Sequence, residues 1–446
     1  MWRERAANGP YKSAGDVSEN SPGDWNRIVR NTDRFLADPS AVRYTPDLPS
    51  GCAPRDFPRP RLEHDGGATL LRDAAFYSLV TGDTDAREAV AEELLAQADE
   101  DSTDFSDRDQ YCQYELWDGA VFTVAHWMNK LLFAYDYVGR DAFTEAEQEK
   151  LDSWFYEAAN FFAKDINGNA EGGLAQVFPD RWDGDHSIRS WIKENPSCDR
   201  YNDTYNGGDD TCKIARYYNN RRSSIARFVG IAGIYLDTHG FSADHDLSVD
   251  EIKRTAKLFA KEFLAYGVYP EGAQGDFHRA TEQLPDKGWS YSAVVTGDMV
   301  TLADHFARAG DTSLYDYQTS DGAQGTAGEI SDGYDSGPKT LRFVARSQAR
   351  YVTGAYDRHI KGGRIDGEHG SWKGLTDITF AHGNAYWDDD LLSDLAHRDG
   401  RGLSGYPEDP AITVGTEVPW TGVGGIYPGV LFQFIDMPET TDPYNP

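Results

Sequence analysis

Four groups of residues in the chain have types and spacings that could carry chemistry. The first is Tyr217-Tyr218-Asn219-Asn220-Arg221-Arg222, which closes a polar stretch and opens an apolar helical pattern. Amides and guanidiniums at a helix N-terminus suit a carboxylate. Free backbone N–H groups and the helix dipole favour an anion there. Arginine adds a fork that matches carboxylate geometry. The plainer alternative is an asparagine N-cap followed by solvated arginines.

The second group is PEGAQGDFHRATEQLPDKGWSY, residues 270–291. A glycine-rich turn leads into Asp276, Phe277, His278 and Arg279. If that stretch is extended, Phe277 and Arg279 share one face and Asp276 and His278 the other. A polar loop follows, and Tyr291 opens the next helical pattern. A tyrosine beside cations has a lowered pKa and can act as a base. A packed helical tyrosine is the structural alternative.

The third group lies in ELWDGAVFTVAHWMNKLLFAYDYVG, residues 115–139. Trp117, Ala120, Val124, Trp127 and Leu131 recur at helical spacing. Trp117, His126, Trp127 and Lys130 suit a pyranose, since aromatic faces stack on its C–H surface and a lysine pairs with its carboxylate. Aromatic core packing is an equal reading of Trp127. The fourth group, GEHGSWKG and FAHGNAYWDDD, places His369, Trp372, His382, Asn384 and Trp387 among small residues, as in loops that approach a ligand closely. Neither histidine has a second ligand at metal-binding spacing, so no catalytic metal or other cofactor is expected. Loop acids such as Asp209 and Asp210 leave structural calcium open.

These residues are strung between amphipathic segments. Helical periodicity covers Trp25–Leu36, 68–82, 84–98, 120–139, 144–166, Asn220–Leu236, Val249–Tyr266, Tyr291–Ala309 and Lys339–Tyr351. TEAE at 144–147 has the form of a helix start. Residues 1–66 are rich in Pro, Gly and Asp and read as an N-terminal arm with one helix. Residues 67–446 read as the main domain, with short apolar runs such as PGVLFQFI near the C-terminus that suit strands. Alternating βαβ spacing is absent, which argues against Rossmann and TIM-barrel folds. No strict repeat period appears. Paired helices with functional loops between them fit a mainly α fold, an (α/α) toroid around a central cleft.

Composition narrows the partners. The 446 residues include 43 basic and 74 acidic side chains, a net charge of −31. Such a surface is a poor match for nucleic acid or an anionic membrane. Aromatic residues make up 13%, enough for a real core despite a mean hydropathy of −0.63. Thirteen lysines stand against thirty arginines. Acid excess with scarce lysine suits saline surroundings, and equally an ordinary acidic bacterial protein. No apolar run is long enough to span a bilayer, and the first residues do not form a signal peptide. Cys198 and Cys212 bracket a polar loop, with Cys52 and Cys112 as a second pair. The spacing is poor for zinc and reasonable for a disulfide, which points to a secreted or periplasmic protein.

Taken in chain order, three features resemble the alginate lyase superfamily of polysaccharide lyases, of the poly(mannuronate) and mannuronate–glucuronan type. They are Asn219-Asn220-Arg221 opening an apolar helix, Trp127-x-x-Lys130 running on to Tyr135-Asp136, and a glycine-rich turn followed by Arg279 and Tyr291. The likeness extends over roughly residues 68–400. It implies an (α/α) toroid and β-elimination on a uronate polymer. It assigns carboxylate neutralisation to Asn220, a cleft cation to Arg279 and the catalytic base to Tyr291. Arg221 stands where the most similar alginate lyases carry histidine, so a histidine base at that position is not available. Cleavage beside guluronate needs a separate base and acid on opposite faces of the ring. Mannuronate and glucuronate present the C5 proton and the C4 oxygen on one face, where a single tyrosine can serve both. The substitution therefore favours syn elimination, with Arg222 as an additional cleft cation. Two other classes stay open: a glycoside hydrolase using carboxylates such as Asp118, Asp276 and Glu282, and a non-catalytic glycan-binding protein.

Overall fold

The computed structural model describes residues 22–44, 62–100, 103–106, 120–166, 218–243, 245–274, 286–323, 337–352, 359–360, 363–364, 386–387 and 389–392. Helices dominate them. In chain order they are α1 (Pro22–Ala37), α2 (Leu62–Thr81), α3 (Thr84–Ala98), α4 (Ala120–Val138), α5 (Glu145–Ile166), α6 (Asn220–Thr238), α7 (Val249–Glu262), α8 (Asp286–Arg308) and α9 (Leu341–Val352). β1 (His359–Ile360) and β2 (Gly363–Arg364) pair antiparallel, His359 opposite Arg364.

Local sequence explains most of the boundaries. The Asp83 side chain caps α3 by accepting from the Ala86 N–H. The Thr144 and Glu147 side chains start α5, with Thr144 N–H donating to the Glu147 carboxylate at 2.8 Å. Ser248 and Glu251 form a complete capping box at α7. Two starts fall elsewhere than the sequence pattern suggests. α2 begins at Leu62 and runs through Gly66 and Gly67, so the expected break at residue 66 falls inside a helix. Gly67 packs on Val42, and a Cβ there would lie 3.1 Å from that residue. α8 begins at Asp286, ahead of the expected Tyr291. The segment expected to be helical as far as Tyr266 ends its α-helix at Glu262 and continues as one π-helical turn, Phe263–Gly267.

The helices form two layers. Even-numbered helices pack on one another in sequence: α2 on α4, α4 on α6, and α6 on α8. Odd-numbered helices flank them, α3 on α5 and α5 on α7. Burial follows this division. α6 is buried from Asn220 to Leu236 except for half-exposed Arg221. α7 instead buries a single stripe, Val249, Ile252, Thr255, Ala256, Phe259 and Ala260, and leaves the rest half-buried or exposed. α1 belongs to the same core: the Trp25 ring stacks on Tyr77 at 5.8 Å, and Asn31 donates to Asp73 at 2.8 Å. The arm helix is therefore continuous with the domain it precedes.

Candidate functional site

The direction of the inner helices decides which side chains can meet. Near the start of α6, Ser223, Ser224 and Arg227 contact Asp298 of α8. Further along α6, Gly230 faces Leu302 and Phe306, further along α8. The two helices therefore run parallel. Gly230 permits the close approach, because a Cβ there would lie 2.2 Å from a Leu302 methyl. α4 runs the same way: His126 feels the charge of Arg227, and Tyr135 meets Tyr235 with ring centroids 5.4 Å apart. Phe133 also meets His305 of α8 at 6.0 Å. So α4, α6 and α8 start at one end of the inner layer, and the segments preceding each of them join at that end.

At the head of α6, Asn219 is the N-cap. Its side-chain oxygen accepts from the N–H groups of Arg221 at 2.9 Å and Arg222 at 3.2 Å. The capping alternative thus holds for Asn219, while Asn220 is the first helical residue and is buried. The expectation of solvated arginines fails for Arg222, which is 3% exposed. Arg221 is the half-exposed member.

Below this turn lies a buried group of polar side chains. His126, Asn129 and Lys130 share one face of α4, and all are buried. Arg227 lies about two helical turns beyond Asn220, on the same face of α6. It pairs with Asp298 at 2.8 Å, both side chains being 2% exposed or less. Asp298 also accepts from the hydroxyls of Ser223 and Ser224, each at 2.7 Å. Burial pushes the Asp298 carboxyl up, and Arg227 with the two hydroxyls opposes the shift. Burial drives His126 well below its ordinary range, aided by the charges of Arg227 and Lys130, so the imidazole is neutral near pH 7. The amide oxygen of Asn129 has no hydrogen-bond partner.

Position 291 lies about two turns before Asp298 on α8. Because α6 and α8 are parallel and Asp298 meets the turn after Asn220, that register sets position 291 level with the head of α6. Gln274 lies against the same stretch of α8, its amide donating to Thr296 Oγ1 at 2.6 Å. The turn before it is held by a bridge between Val268 and Gln274 and by Gly272 at φ +84°, packed on Ser347. Arg279 follows Gln274 by five residues, a span of at most about 18 Å.

Of the expected site residues, His126 and Lys130 are buried on α4 near Arg227, and Asn220 and Arg222 are buried in the first turn of α6 with half-exposed Arg221 between them. Trp127 packs in the core, edge-on to Tyr44 at 5.4 Å and Trp154 at 5.9 Å. Tyr135 is structural as well, its hydroxyl 3.2 Å from Asp152. Trp387 packs edge-on to Tyr315 at 5.3 Å. Trp117, His278, Arg279, His369, Trp372, His382, Asn384, Asp209, Asp210, the carboxylates Asp118, Asp276 and Glu282, the four cysteines and the run PGVLFQFI lie outside the described residues. So does the side chain of Tyr291. Sequence reasoning passed over Arg227, Asp298 and the two serines. The available signal was a lone charge inside an apolar run, IARFVG and TGDMV, at helical register with Asn220 and Tyr291.

The chain matches no protein-family model, no curated protein and no solved structure. Among the described residues, no group of three or more His, Cys, Asp or Glu side chains is placed to hold a metal ion. None of the described helices is long and apolar enough to cross a membrane.

Proposed function

We propose that the protein is a polysaccharide lyase that cleaves a uronate polymer, polymannuronate or glucuronan, by syn β-elimination, and that its alternating layers continue into an (α/α) toroid. The observation that carries this reading is the parallel register of α6 and α8. It supports the reading because Asn220 and position 291 then belong to the starting ends of two parallel helices. An anion at that end is favoured by the N-termini of parallel helices and by half-exposed Arg221 in the first turn of α6. A locally cationic site of this kind is what a protein of charge −31 needs to hold a polyanion.

In this mechanism Asn220, with Arg221 at the rim, binds the C5 carboxylate. Neutralising that charge makes the C5 proton acidic and stabilises the enolate-like intermediate. Tyr291 takes the C5 proton as base, with Arg279 favouring its anionic form. The electron pair left on C5 forms the C4–C5 double bond as the C4–O bond breaks. Tyr291 then returns its proton to the leaving oxygen. His126, held neutral, is the substrate-binding candidate on α4 that adds no charge. Proton transfer and carboxylate neutralisation are complete with these side chains alone. A polymeric substrate and the cysteine pairing expected from the sequence both favour a secreted or periplasmic enzyme.

A panel of polymannuronate, polyguluronate, glucuronan and hyaluronan tests the proposal. A new ultraviolet absorbance from a conjugated double bond is expected on polymannuronate or glucuronan. Cleavage of polyguluronate alone would overturn the syn mechanism, and absence of the absorbance on all four would overturn the lyase reading.

A further inference from the structure

We propose that Asp298 is a positioning residue of the site, tying the first turn of α6 to α8 and thereby setting Asn220 against Tyr291; this rests on the lyase reading above. The contacts that argue it are unusual in number. One carboxylate, wholly buried, receives two serine hydroxyls and one guanidinium, all from a single helix. Both hydroxyls also lie near the Asn220 carbonyl oxygen, Ser223 at 3.1 Å and Ser224 at 2.9 Å. Each hydroxyl has one hydrogen, and the shorter contact to a charged acceptor takes it. The serines therefore tie the first turn of α6, which Asn220 opens, to α8.

A stability role alone would not call for this arrangement. A buried ion pair is a weak source of net stability, because desolvation offsets most of the attraction. Hydrophobic residues of similar size would serve the core equally well. A bracket that fixes one turn against a neighbouring helix instead supplies geometry. Proton transfer needs that, because misplacement on the order of 1 Å can cost about 100-fold in rate. Asp298 reaches both members of the pair, Asn220 through the serines of the turn it opens and position 291 through its own helix.

The test compares the parent protein with Asp298→Asn and with the double variant Ser223→Ala/Ser224→Ala. Asp298→Asn keeps the shape and an acceptor oxygen. The serine variant keeps the Arg227–Asp298 pair, so it remains informative if Asp298→Asn folds poorly. Two readouts are taken: kcat and KM per folded molecule on the polymer the parent cleaves, and hydrogen exchange of the amides of residues 221–224. For both variants kcat should fall at least tenfold with KM within about threefold, and exchange should quicken in the first turn of α6 while its last turns stay protected. Activity loss explained wholly by a smaller folded fraction, or unchanged exchange at residues 221–224, would overturn the role of Asp298 and leave the lyase reading standing. A parent inactive on every uronan would overturn the lyase reading and, with it, any role in turnover, whatever the variants show.

Discussion

At the scale of single residues, the account places acid–base work on one hydroxyl and charge neutralisation on one amide. Tyr291→Phe deletes the hydroxyl and keeps the ring. General acid–base groups contribute about 100- to 10,000-fold, and one group doing both jobs puts the expected loss near the upper figure. Binding of a uronate oligosaccharide, measured by calorimetry, should persist in that variant. Retention of more than about a tenth of turnover would assign the base to another side chain. His126 makes a separate claim about pH. Its pKa in the folded protein is depressed by burial and by Arg227 and Lys130. The unfolded chain binds a proton near pH 6.5, where the folded chain does not. Stability from this group is therefore present above about pH 6.5 and is lost as pH falls below it. His126→Gln should flatten the decline in melting temperature on the acid side, and identical slopes for parent and variant would contradict the burial argument.

At the scale of elements, the helices were largely legible because their signals are local. Spacing and caps marked α3, α5, α6 and α7 to within a turn or so. The starts of α2 and α8 were less legible, since Gly66 and Gly67 look like a break until Val42 is seen against them. Asn220, Arg222, His126 and Lys130 could be chosen from the sequence by residue type and helix position. Arg227 and Asp298 could not, because their pairing joins distant parts of the chain and is visible only once α6 and α8 are seen to be parallel. Trp127 shows the converse limit: spacing gave its helix face, and only packing gave its neighbours. Lys339 is a further long-range element that local pattern does not reveal. Its ammonium donates to the carbonyl oxygens of Ala265, Asp321 and Ala323 at 2.7, 2.9 and 2.8 Å, joining the π-helical turn to the 321–323 segment. Lys339→Met removes a donor from three carbonyl oxygens, of which Ala265 still accepts from the Ala323 N–H, and a loss of about 1–3 kcal/mol is expected in denaturant unfolding. A change below about 0.5 kcal/mol would mean that the turn holds itself.

At the scale of the whole molecule, the difficulty is charge. A protein of net −31 repels a polyuronate at long range, and the proposed function requires the start of the inner helices to attract it at short range. Salt weakens the long-range term first, since the Debye length shortens to about 10 Å at 0.1 M. Turnover on the polymer should therefore rise as salt is added from low ionic strength, before it falls at concentrations that screen the site itself. A monotonic fall from the lowest salt would contradict this balance. The two-layer packing of α2 to α8 gives the site its frame, with α4, α6 and α8 delivering their first turns to one place. Whether that place performs elimination is decided by counting unsaturated ends against new reducing ends on one polymer. Cleavage of polymannuronate or glucuronan by the parent protein should give one conjugated double bond for every new reducing end. New reducing ends without double bonds would mean hydrolysis, and would contradict the account at its centre.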